Sequence, residues 1–293
     1  MKKKIGIVTD SSSGLTVKDF EDMPDIGFCP LLISFDDDET FEDDPRTFKE
    51  YDFIDRIINK KQLAKTSQTQ LGKTIEVWEE MLKKFDKLIF IPLSKGLSGQ
   101  YNTTAVLAKE PNFKNKVYVF DSNGVSIINY LVVKKAYKMT EDPSINVNTI
   151  LSMLKKISDN FIGFILPNDM SYLARGGRIT KSAAALSKLL KIKPILTYDG
   201  TIDKFDTTRT WKKAVNKTLN EITKWQKVNK NNTTLYVIDG FANKKLIEET
   251  KTYINHYEFS NVEYCQLANV IAAHTGLDTF AFVSFNINEK LDL

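Results

Sequence analysis

The chain has 293 residues, 42% hydrophobic and 27% charged, with 13 glycines and 8 prolines, which places it among ordinary globular proteins of one or two domains. Its 41 basic and 37 acidic residues leave a net charge of +4, and because the two signs are interleaved no basic tract supports nucleic-acid binding. The start, MKKKIGIVTD, has an apolar run that stops at Asp10, far short of a signal-peptide core or a membrane span, so a cytoplasmic protein is expected. Cys29 and Cys265 lie far apart among residues of strand or core type and read as buried free thiols.

In chain order, KIGIVTD reads as a strand ending in a turn, and FCPLLISF as another strand. RTFKEYDFIDRIINKKQLA has helical periodicity, with Phe48, Tyr51, Phe53, Ile54, Ile57 and Ile58 on or near one face. TIEVWEEMLKKF is a helix, KLIFIPL a strand, YNTTAVLAKE a helix, KVYVFDS a strand and VSIINYLVVKKAYKMT a helix. That alternation predicts a largely parallel sheet with helices on its faces. The polar, proline-containing EDPSINVN reads as a linker between a first α/β domain, 1–145, and a second, 146–293. In the second, TILSMLKKI is a helix and FIGFILP a strand. A helix then stops at Gly176 and Gly177, and a second apolar helix runs into a short strand before Asp199 and Gly200. WKKAVNKTLNEITKWQ places Trp211, Ala214, Val215, Thr218, Leu219, Ile222 and Trp225 at helical spacing; TLYVIDG, KKLIEETKTYINHY, VEYCQLA and TFAFVSFN follow as strand, helix, strand and strand.

Four short stretches put hydroxyl-bearing and small residues where a strand or helix ends. IPLSKGLSGQYNTTAVLAK is a strand, a loop with Ser94, Ser98 and Gly99, and a helix whose first amides lack partners. Such a start can receive an anion, a phosphate or a carboxylate, although Ser98 as a plain helix cap explains the same residues. A P-loop is excluded, because no Gly-Lys-Ser/Thr follows at the required spacing. GLSGQ misses the GxSxG nucleophile elbow at Gln100, and Pro92 to Leu97 separate its serine from the strand; a serine hydrolase using Ser98 would have only His256 or His274 as base. TDSSSGL with Asp10 and Ser11, AKTSQTQLG with Thr66, Ser67 and Gln68, and FDSNGVS with Asp121 and Ser122 share this character. Together they would line one edge of a parallel sheet, where open α/β sheets bind ligands. An enzyme acting on a small anion or phosphate ester could use the same loops. The acidic run DDDETFEDD lacks the ligand spacing and central glycine of a calcium loop and reads as a solvated loop, so no metal site is expected.

VTDSSSGL, KTSQTQLG, IPLSKGLSGQYNTTAVLA, VYVFDSNGVS, YLARGGRI, LLKIKPIL with DG, TTRTWKKA and the late HTG, in this order and across almost the whole chain, resemble the DegV family of bacterial fatty-acid-binding proteins. The resemblance implies two α/β domains with one long-chain fatty acid buried between them, its carboxyl group on polar loops and its tail in an apolar tunnel. It implies no cofactor and no catalytic residue. Where the system exists, it implies presentation of the fatty acid to an ATP-dependent kinase partner that makes acyl phosphate, with transient membrane-surface contact. By position it gives Ser98 and Thr66 as carboxylate donors, with Ser67 and Gly99 in the same loops and His274 contributed by the second domain. Arg209 of TRT matches an arginine near the pocket mouth, and Gly176, Gly177 and Arg178 match the second-domain signature, with the glycines as a tight turn and Arg178 structural or partner-facing. Asp10 and Ser11 fall in the same pocket-facing or partner-facing group.

The chain also departs from that pattern. Thr69 stands where a proline usually follows TSQ, HTGLDT lacks the usual Gly-Pro-Gly, and DSNGVSIINY lacks glycines common after its serine. Leu277, Asp278, Ile128 and Tyr130 are therefore expected to reshape the pocket, with Asp278 adding negative charge near a carboxylate unless it points to solvent.

Overall fold

The computed structural model describes residues 3–189, 191–229 and 234–286; residues 287–293, placed by the sequence in the second domain, lie outside them. The chain divides into two compact units. Unit 1 takes the residues up to Asp159 together with Ala268–Val270, and unit 2 takes Asn160–Leu267 and the residues from Ile271 onward.

Unit 1 runs β1 (Lys3–Asp10), a 3-10 turn (Ser11–Ser13), α1 (Val17–Asp22), β2 (Gly27–Cys29), β3 (Leu32–Ser34), β4 (Thr40–Glu42), α2 (Glu50–Ile58), β5 (Lys65–Ser67), α3 (Leu71–Lys84), β6 (Phe85–Ile91), α4 (Gln100–Leu107), β7 (Val117–Val119), α5 (Ile127–Met139) and α6 (Val147–Ser158). Four strands form an all-parallel sheet of order β2-β1-β6-β7. In β1 every residue from Ile5 to Asp10 is buried, as a parallel strand covered on both faces must be. Trp78 of α3 sits edge-on to Phe90 and Phe113, at 5.7 and 5.2 Å between ring centroids, in a core shared with Val8, Phe85 and Leu88. α5 packs on β1, and α6 packs on α5.

FCPLLISF is two strands rather than one. Pro30 has no N–H to give a ladder, so the chain breaks there, and β3 leaves for a second, antiparallel sheet of order β4-β3-β5. The first part of the acidic run forms the β3–β4 hairpin. There Arg56 of α2 bonds Asp37 and Glu39 while its guanidinium lies over Phe35 and Phe41, at 4.8 and 4.7 Å. α2 ends at Ile58, which is exposed, so the predicted helix is shorter than its sequence pattern.

Unit 2 runs β8 (Phe161–Leu166), α7 (Met170–Gly176), α8 (Lys181–Ala184), β9 (Lys193–Tyr198), β10 (Ile202–Thr208), α9 (Trp211–Asn229), β11 (Thr234–Gly240), α10 (Lys244–Ile254), β12 (Asn261–Gln266), α11 (Asn269–Thr275) and β13 (Thr279–Phe285). α11 begins with two residues of unit 1 and continues in unit 2. The sheet order is β10-β9-β8-β13-β11-β12, with β11 and β12 parallel and the other pairs antiparallel. β10 was not legible because its pattern, IDKFDTT, is polar; it is an edge strand returned by the turn at Gly200, whose φ is 102°. The expected second apolar helix is a single turn, α8, extended only by a 3-10 turn to Lys188. α9 follows its sequence closely: Trp211, Ala214, Val215, Leu219 and Ile222 are buried against Phe164, Ile195, Phe280 and Phe282.

Candidate functional site

The loops leaving β1, β6 and β7 at the carboxyl end of the parallel sheet are joined by one buried polar network. Asp10, the last residue of β1, accepts from Ser12 N (3.0 Å) and Ser12 Oγ (2.5 Å) on Oδ1 and from Leu93 N (2.8 Å) on Oδ2. Asn129 of α5 donates its Nδ2 to Ser12 Oγ (3.0 Å) and Pro92 O (3.2 Å), and its Oδ1 accepts from Ser122 Oγ. Ser126 N donates to Ser12 O at 2.6 Å, and Ser94 N to Gly124 O at 3.1 Å. Burial pushes the Asp10 carboxyl up to about 6, against the opposing hydrogen bonds from Ser12 and Leu93. Ser11 is likewise engaged inside, donating to Asp43 O (2.7 Å) and accepting from Leu31 N (2.9 Å). Asp10 and Ser11 therefore brace the loops from beneath, fully buried.

Above this base, the TSQ and GLSG loops are brought together. Gln68 Oε1 accepts from Thr103 Oγ1 at 3.0 Å, and Gln100 Nε2 donates to Thr69 Oγ1 at 2.9 Å. Thr69 in turn donates to Cys29 O at 2.9 Å. A proline at 69 could not make this relay, so the departure from the family pattern has a structural use. Thr66 is half-buried on β5, opposite Ile33 of β3, while Ser67 and Gly99 are exposed. Ser98 is half-buried at the entry to α4, where Gly99, not Ser98, is the N-cap. Ser98 Oγ accepts from Gln100 N at 3.1 Å, and its proton has no acceptor among the described residues.

In unit 2, α7 ends at Gly176, and Gly177 takes the left-handed conformation (φ 66°) as its C-cap. His274 of α11 stands against Gly176. Burial, assisted by the nearby Arg178 charge, lowers its imidazole to about 4, so it is neutral at pH 7. Arg178 is exposed and donates to Gly176 O, and Arg209 is exposed after β10. Asp278 does not aim into open space: its Oδ1 accepts from Asn243 N (2.8 Å) and Asn243 Nδ2 (3.0 Å), so its charge caps the start of α10. Ile128 is core, and Tyr130 donates its hydroxyl to Asp19 at 2.8 Å.

Sequence reasoning missed Asn129, Gln100 and Asp43 as organisers of these loops. The signal for Asn129 was present, as a polar amide inside the apolar run VSIINYLVV; Asp43 was hidden in the acidic run. A cavity of about 480 Å³ opens at the other end of β1, lined by Lys4, Ile5, Phe85, Tyr137 and Pro143 among others, and it includes none of the predicted site residues.

The family model described as "Uncharacterised protein, DegV family" matches residues 4–286. A DegV domain-containing protein of Staphylococcus aureus is 30% identical over 286 residues, 93% of this chain and 94% of that one. The solved structure of DegV, a fatty acid binding protein from Bacillus subtilis, covers 97% of this chain and 100% of its own, with a TM-score of 0.78 and 26% identity. A fatty-acid-binding DegV family protein from Thermus thermophilus superposes with a TM-score of 0.83 at 21% identity, over 97% of this chain and 100% of its own.

Proposed function

The chain belongs to the DegV family, and from that premise we propose that it is a non-catalytic carrier of one long-chain fatty acid. The tail occupies an apolar tunnel between the two domains. Ser98 and Thr66 donate to the carboxylate, with Ser67 and Gly99 in the same loops and His274 completing the set; Arg209 and the Gly176–Arg178 turn face the pocket mouth or a partner. That partner is an ATP-dependent fatty-acid kinase, to which the carrier presents the carboxyl group in the cytoplasm.

One observation carries this reading: the Ser98 hydroxyl accepts from Gln100 N and keeps its own proton available. A donor so fixed can hold a carboxylate oxygen. A neutral imidazole, as burial makes His274, carries one N–H rather than two. Burying a chain of roughly 16 carbons contributes on the order of 10 kcal/mol, while the desolvated carboxylate needs several such donors to offset its burial.

The purified protein, denatured and extracted with organic solvent, is expected to release a stoichiometric fatty acid by mass spectrometry. Ser98→Ala is expected to weaken fatty-acid binding while the fold is kept, with a stability loss of at most about 1 kcal/mol from the lost Gln100 N bond. A chain that releases no lipid and is labelled at Ser98 by a fluorophosphonate would overturn the proposal in favour of a hydrolase.

A further inference from the structure

We propose that Asp43 is a positioning residue: its carboxylate fixes the first residues of α11, the helix that carries His274. The inference rests on the reading of His274 as a carboxylate contact.

Asp43 belongs to an acidic run whose sequence predicts a solvated loop, yet it is fully buried. Both carboxylate oxygens are engaged. Oδ1 accepts from Asn269 Nδ2 at 3.1 Å and Oδ2 from Val270 N at 2.9 Å, although these residues lie 226 and 227 positions along the chain. Its backbone is equally fixed, because its N–H donates to Leu31 O at 2.8 Å and its carbonyl accepts from Ser11 Oγ at 2.7 Å. Among the described residues no cation forms an ion pair with this carboxylate, and Asp44 and Asp10 add like charge. A solvated loop residue would avoid that desolvation; here two amide donors must offset it. Those donors are the side chain and main chain of adjacent residues, so they admit one placement of Asn269 and Val270. His274 follows Val270 by four residues on the same helix, about one turn further along. The helix that carries His274 thus has its first turn held by Asp43.

The test combines amide hydrogen exchange with palmitate titration on the full chain, for Asp43→Asn, Asn269→Ala and the pair, with Ser98→Ala for comparison. Asp43→Asn is expected to speed exchange in residues 268–275 and to weaken palmitate binding roughly tenfold. Asn269→Ala, which keeps the carboxylate, should do the same to a smaller degree, and the double variant should be no worse than Asp43→Asn alone. Ser98→Ala should weaken palmitate with exchange in 268–275 unchanged. Wild-type exchange at 268–275 in Asp43→Asn overturns the proposal, as does acceleration spread through the parallel sheet of unit 1. If the wild-type chain binds no palmitate while Asp43→Asn still loosens 268–275, the lipid reading fails and the positioning role of Asp43 stands.

Discussion

Gly176 and His274 compete for one space: a Cβ added to Gly176 would lie 2.6 Å from the imidazole Nδ1. The glycine is therefore kept for its missing side chain, since its backbone is ordinary helix. Its neighbour Gly177 differs, with φ at 66° and open space where a Cβ would stand. Gly176→Ala should displace the imidazole and weaken fatty-acid affinity. Gly177→Ala should cost about 1 kcal/mol of stability and leave affinity unchanged. Titration beside thermal melts separates the two, and equal effects on affinity would contradict this division of labour.

The pH dependence of His274 has a definite sign. Its folded value, about 4, lies below the ordinary 6.5, so its contribution is present above pH 6.5 and is lost as pH falls from there toward 4. The full loss amounts to about 3 kcal/mol. Asp10 and Asp43, raised to about 6 and about 7, favour the fold as pH falls and together outweigh it in the unsubstituted chain. The lipid-free wild type measured against His274→Asn isolates the effect: the difference in unfolding free energy should shrink between pH 7 and pH 4, and a constant difference would refute it.

Thr69 predicts a stability effect. Thr69→Val keeps the shape but strands Gln100 Nε2 and Cys29 O, both at 2.9 Å from the hydroxyl. A loss of about 2 kcal/mol is expected in urea unfolding, since unpaired buried polar groups cost more than the bond was worth.

Ser126 predicts a gain. It holds φ 54° and ψ −131°, a conformation suited to glycine, while its amide bonds Ser12 O. Ser126→Gly should raise stability by about 1 kcal/mol, the relief of strain exceeding the added entropy of the unfolded chain. A lower melting temperature would show that the serine side chain, not the backbone, holds this turn.

Much of the architecture was legible because periodic burial writes itself into sequence: the covered strand β1 and the apolar stripe of α9 are examples. What escaped reading had short or polar signatures. β3, β4 and β5 have three residues each, too few to show a period. The loops' outer hydroxyls were legible and their buried base was not. Hydroxyls such as Ser98 announce themselves at helix starts, whereas Asp10 and Ser11 look like ligand groups and are in fact braces. Asp43 could not be read at all, since its partners are the distant Asn269 and Val270.

Asn129 binds loops from two different strands with a single amide and receives a third through Ser122. Those loops can therefore neither open in turn nor be reshaped one at a time. If the proposed fatty acid binds here, so rigid a cradle would lose little freedom when the headgroup enters, and binding strength would report the length and shape of the tail. On that reading, new specificity would arise along the tail's path, where changes are local, rather than at the headgroup, where one altered residue would disturb three loops together.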